Sequence, residues 1–111
     1  MENKIIVFLK YDCPTCELVR PLLADIQKNI SSFEIFVQDD PALFPDLVVH
    51  EDKDLELSFK HKIEIVPTIL KMEKNSETER VIGWNKREWA EIFQFSEENY
   101  KLPINKPGCG S

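Results

Sequence analysis

The chain has 111 residues, 42% of them apolar and 31% charged, which fits one compact domain and leaves no room for a second core. Its net charge of −6 points away from nucleic acid and from anionic membranes as partners and reads as a solvated surface. The start, Met1-Glu2-Asn3-Lys4, lacks the basic segment of a secretory leader, and the apolar run Ile5–Leu9 is too short to span a membrane. Three cysteines, two of them in one C-x-x-C, suit a reducing compartment better than a stapled secreted domain, so a cytoplasmic location is expected.

In chain order, Ile5–Leu9 is apolar on both faces, as a central strand should be. Tyr11-Asp12-Cys13-Pro14-Thr15-Cys16 forms a turn into a helix over about Pro14 to Ile30, where Val19, Leu22, Leu23, Ile26 and Ile30 recur at helical spacing. Pro14 suits the first helical turn, whereas Pro21 should kink the helix. Phe33–Val37 reads as a second strand, parallel to the first, with the helix as a right-handed crossover. Residues 38–54 are broken by Pro41 and Pro45 but carry local apolar weight in Leu43, Phe44, Leu47, Val48 and Val49. Within them, Pro41–Val49 reads either as an extra loop or helical turn covering the sheet edge or as a partner contact.

A short helix is expected over about Asp54 to Lys62, with Leu55 and Phe59 on one face. Thr68–Met72 and Arg80–Ile82 should form a hairpin around a polar turn, Glu73–Glu79. Asn85 and Glu88 stand at capping-box spacing before a helix that turns Trp89, Ile92 and Phe93 inward. From about residue 101 the chain carries two prolines and two glycines, so 101–111 is expected to be a flexible tail, or a linker to a further domain, after a domain spanning 1–100. The order β-α-β-(α)-β-β-α implies an α/β fold with a mixed four-stranded sheet flanked by helices.

Cys13 and Cys16 stand where a strand becomes a helix. There the unpaired N–H groups and positive dipole end of the first turn favour a thiolate, the nucleophile of disulfide exchange. Cys16 lies one turn on, on the same side, and its attack on a mixed disulfide at Cys13 is intramolecular.

With these residues the chain resembles the thioredoxin superfamily over roughly Ile5 to Phe95. The C-x-x-C follows an apolar strand, Pro21 lies five residues after Cys16, Ile65-Val66-Pro67-Thr68 matches the family's proline segment, and Gly83 follows the last strand. The resemblance implies a cis Val66–Pro67 bond beside the dithiol, with a substrate peptide pairing on Val66 as an added strand in a groove that Gly83 keeps open. Trp84, next to Gly83, is a candidate substrate contact.

The chain departs from the pattern in several places. Asp12 replaces the usual Trp before the first Cys and should work against a thiolate at Cys13, with Lys10 offsetting it; these two are the expected tuning residues. Val7 stands where the family carries a buried acid, the start is short, as in glutaredoxins, and Gly83 is followed by Trp84 rather than by a second glycine. The resemblance implies a thiol–disulfide oxidoreductase acting on protein disulfides without a cofactor, its electrons coming from a reductase or from glutathione. The alternatives are a redox-inactive module that docks on a partner domain and a glutaredoxin-like enzyme dependent on glutathione. A metal site is not expected: one C-x-x-C gives two of four zinc ligands, and His50 and His61 have no evident way to join them. Cys109 reads as a surface thiol in the tail, the alternative being a third redox thiol.

Overall fold

Strand β1 (Asn3–Leu9) lies at the centre of the sheet because its side chains are apolar on both faces: Ile6, Val7, Phe8 and Leu9 are all buried. The computed structural model describes residues 3–30 and 33–110. After β1 come α1 (Pro14–Asn29), β2 (Phe33–Val37), β3 (His50–Glu51), α2 (Glu56–Lys60), β4 (Ile65–Val66), β5 (Thr68–Glu73) and β6 (Ser76–Ile82). The chain finishes with β7 (Trp84–Asn85), α3 (Lys86–Phe93), β8 (Asn105–Lys106) and β9 (Cys109–Gly110).

The sheet is mixed, in the order β3-β2-β1-β5-β6. β2 runs parallel to β1, Val7 opposite Ile35, while β5 runs antiparallel to it, Val7 opposite Ile69. The expected α/β architecture holds, with one strand more than the four expected: the two-residue β3 adds to β2 in parallel. Alternation along β2 separates two layers. Phe33 meets Phe93 of α3 edge-on, whereas Phe36 lies on the side of Phe8, whose ring faces His61 at the end of α2.

Helix α1 begins at Pro14 and buries Val19, Leu22, Leu23 and Ile26, the stripe expected of it. Pro21 lies inside the helix, where it has no N–H to offer the carbonyl of Glu17. Residues 38–49 are not a free loop but are fastened to α1. Arg20 pairs with Asp46 and donates to the Leu43 carbonyl at 3.3 Å, with its guanidinium 4.7 Å from the centre of the Phe44 ring. Gln27 donates to the Val48 carbonyl and accepts from the Val48 N–H, at 2.8 and 3.0 Å.

Two expectations need correction. The second helix is shorter, and Leu55 and Phe59 point outward, Phe59 being 88% exposed. What seats the helix is polar: buried Asp52 accepts from the N–H groups of Leu57 and Ser58 and from the Ser58 hydroxyl. The hairpin turn is not Glu73–Glu79 but Lys74–Asn75, both left-handed (φ 51° and 67°), as a two-residue turn between twisted strands requires. The tail is paired in this structure. β8 pairs with β7 and β9 pairs with β4, both antiparallel, laying residues 105–110 back across the domain.

Candidate active site

The dithiol sits at the first turn of α1. Cys13 is the N-cap in extended backbone (φ −155°, ψ 110°), and its sulfur accepts the Cys16 N–H at 3.2 Å. A thiol here does the work usually given to Ser or Asp: it satisfies one of the orphan donors of the first turn, at the positive end of the dipole. All three cysteines are free, with Cys13 and Cys16 only 3% and 1% exposed. Burial pushes the Cys16 thiol well up, and its hydrogen bond with Cys13 adds to the shift.

The facing wall is the turn before β5. The Val66–Pro67 peptide bond is cis, and the Val66 carbonyl oxygen lies 3.6 Å from Cys13 Sγ. Thr68 Oγ1 donates to the Ile65 carbonyl at 2.6 Å, and the Gly83 N–H donates to the Pro67 carbonyl at 2.8 Å. Gly83 holds φ +76°, a conformation that L side chains rarely adopt, and a Cβ there would come within 3.0 Å of Gly108 N.

The fold is similar to that of solved structures distant in sequence. StoA from Bacillus subtilis aligns with a TM-score of 0.66 at 18% identity, over 85% of this chain and 83% of its own. The reduced thioredoxin pre-protein of Schistosoma mansoni gives 0.61 at 14%, over 84% and 77%, and the short form of spinach chloroplast thioredoxin f gives 0.61 at 17%, over 84% and 74%. The chain has the thioredoxin fold. No protein-family model matches the sequence, and no curated protein does.

Cys13, Cys16, Val66, Pro67 and Gly83 lie together in the structure, the placement the resemblance implies. Trp84 does not join them. It is 1% exposed, its ring meets Trp89 edge-on at 5.1 Å, and its Nε1 donates to the Pro103 carbonyl at 2.7 Å. It is a core ring under the tail rather than a groove wall. Asp12 is exposed in the turn ahead of the helix. Lys10 reaches the tail, its Nζ donating to the Gly110 carbonyl at 2.9 Å. Val7 is fully buried between Ile35 and Ile69. His50 lies 3.7 Å from Glu34 and His61 against Phe8, both away from the thiols, and among the described residues no group of three or more His, Cys, Asp or Glu could hold a metal ion.

Sequence reasoning placed Cys109 at the surface. The structure places its sulfur 2.7 Å from that of Cys13, and burial together with this contact raises the Cys109 thiol. The only hint in the letters was the third cysteine between two glycines. Thr15, between the two dithiol cysteines, was also missed: its hydroxyl donates to the Pro107 carbonyl at 2.7 Å.

Proposed function

We propose that the chain is a thiol–disulfide oxidoreductase that reduces or exchanges protein disulfides through Cys13 and Cys16. The observation that carries this reading is the Cys13 sulfur capping α1, with Cys16 one turn behind it and the Val66 carbonyl 3.6 Å in front. The general likeness to thioredoxins supports the same chemistry.

In the forward direction the Cys13 thiolate attacks one sulfur of a substrate disulfide. The substrate S–S bond breaks, its leaving sulfur takes a proton, and Cys13 is left in a mixed disulfide. Cys16 gives up its proton and attacks Cys13 Sγ, expelling the second substrate thiolate, which the proton neutralises. The substrate gains two electrons and the protein is left with a Cys13–Cys16 disulfide, to be reopened by a thiol reductase or by glutathione. Because Cys16 starts within the same turn, its attack has the advantage of an intramolecular step. The high protonation range of the buried Cys16 makes loss of its proton the demanding part of resolution. A substrate strand would pair on the backbone edge of Val66, beside Pro67. A reducing, cytoplasmic setting fits this direction of electron flow, and among the described residues no helix is long and apolar enough to cross a membrane.

The near-complete burial of both thiols favours a second reading, a redox-inactive docking module. Insulin reduction with a thiol donor separates the two. The wild type is expected to accelerate reduction, Cys13→Ser to fall to background, and Cys16→Ser to accumulate a mixed disulfide with insulin. No acceleration over the uncatalysed reaction by the wild type, nor by a Gly108→Val chain in which the tail over Val66 is displaced, would overturn the oxidoreductase reading in favour of the docking module.

A further inference from the structure

The edge of Val66 on which a substrate strand would pair is occupied by the chain's own tail. Val66 stands opposite Cys109 and Ile65 opposite Gly110 in an antiparallel pair. Side chains beside the dithiol hold the tail from two directions: Thr15 Oγ1 donates to the Pro107 carbonyl and Lys10 Nζ to the Gly110 carbonyl. The fit is close enough to dictate residue type. A Cβ on Gly108 would lie 2.5 Å from both Ile65 Cγ2 and the Val66 oxygen, while Gly83 makes room from the other side. The outcome of this docking is chemical: the Cys13 and Cys109 sulfurs are in direct contact, within reach of disulfide exchange.

We propose that residues 106–110 are a tethered substrate strand, in which Cys109 exchanges disulfide with Cys13, and that a protein disulfide reaches Cys13 only after this strand leaves. The inference rests on the dithiol reading above. In the oxidised chain the Cys109 thiolate attacks Cys13 Sγ, the Cys13–Cys16 bond breaks, and Cys16 leaves as a thiolate that takes up the proton. A disulfide is moved, and no electrons enter or leave. The new Cys13–Cys109 bond has its Cys109 end half-buried rather than buried, which opens a route for electrons. An outside thiol attacks Cys109, releasing Cys13, and a second thiol clears the adduct as an external disulfide. While the strand is seated, Cys13 is only 3% exposed, so an external disulfide has no approach to its sulfur.

The test uses the full chain carrying Cys16→Ser, equilibrated in oxidised and reduced glutathione, acid-quenched, alkylated and mapped by mass spectrometry. A Cys13–Cys109 linkage is expected, with an effective concentration about tenfold or more above that of the Cys16→Ser/Gly108→Val protein, whose tether is the same length but whose valine collides with Val66. Gly110→Ala, where an added Cβ meets open space, is the control expected to keep the linkage. No linkage, or equal values with and without Gly108→Val, overturns the tethered strand. In the insulin assay, Gly108→Val alone is expected to lower KM several-fold; an unchanged KM overturns the covering role. Wild-type turnover without any Cys13–Cys109 linkage sinks this inference and leaves the dithiol reading standing. Absent turnover in both wild type and Gly108→Val sinks the dithiol reading itself, while the linkage still reports on the strand.

Discussion

The two halves of the site are built by different rules. The first turn of α1 is a local construction: Pro14 sets the helical backbone, the Cys13 sulfur caps it, and the stripe from Val19 to Ile26 anchors the helix to the core. The tail over residues 105–110 has no such local logic. It is held by two-residue pairings to β4 and β7, by Thr15 and Lys10, and by the absence of a side chain at Gly108. A segment of this kind opens at a small fraction of the free energy needed to unfold the sheet. A locally built reactive turn and a cover held only by distant contacts thus share one site.

The largest expected effect belongs to the body. Trp89 is fully buried against Trp84 and Phe93 and donates to the Gly83 carbonyl at 3.0 Å. Trp89→Ala should cost about 3–5 kcal/mol in urea unfolding. A loss below about 1 kcal/mol would mean that the wall carrying Gly83 is as loosely held as the tail. Next comes Asp52→Ala, which removes the acceptor of three hydrogen bonds at a buried position. A loss of about 1–3 kcal/mol is expected, with faster amide exchange confined to α2.

The pH effect comes third. The folded Cys16 thiol is raised above an unfolded value near ~8.5, so below that pH both states hold the proton and stability is flat. Above it the unfolded chain releases a proton that the folded chain keeps, and the stability of the reduced protein should fall by up to ~1.4 kcal/mol per pH unit. Thermal melts from pH 8 to 10 should show this slope in the wild type and less of it in Cys16→Ser; equal slopes would mean the thiol is not buried in solution. The smallest effect sharpens the contrast directly. Thr15→Val should loosen the tail by about 0.5–1.5 kcal/mol in local amide exchange while leaving the global unfolding midpoint in place.

Much of the body was legible because its signals are local. Ile5–Leu9, the helical stripe of α1, and the Asn85 cap, whose side chain accepts the Glu88 N–H at 2.9 Å, stand as read. The meeting of Cys13 with Val66 and Pro67 followed from their resemblance to a known pattern rather than from periodicity. What was not legible depended on context. Ser76–Arg80 is strand, but its side chains are polar because β6 is an edge facing water, so alternation is missing. Trp84 stood beside Gly83 in the chain, yet its ring turned inward to Trp89. The tail has the prolines and glycines of a flexible segment; here the same glycine, Gly108, is what allows backbone to approach backbone.

The central claim is that Cys13 and Cys16 form a redox pair, and the most direct test removes the competing thiol. Cys109→Ser protein is equilibrated across a series of glutathione ratios, quenched with acid, and its cysteine linkages are mapped by mass spectrometry. A single two-electron transition to a Cys13–Cys16 disulfide is the expected result. Persistent reduced thiols at every ratio, or glutathione adducts that never resolve into that linkage, would contradict it.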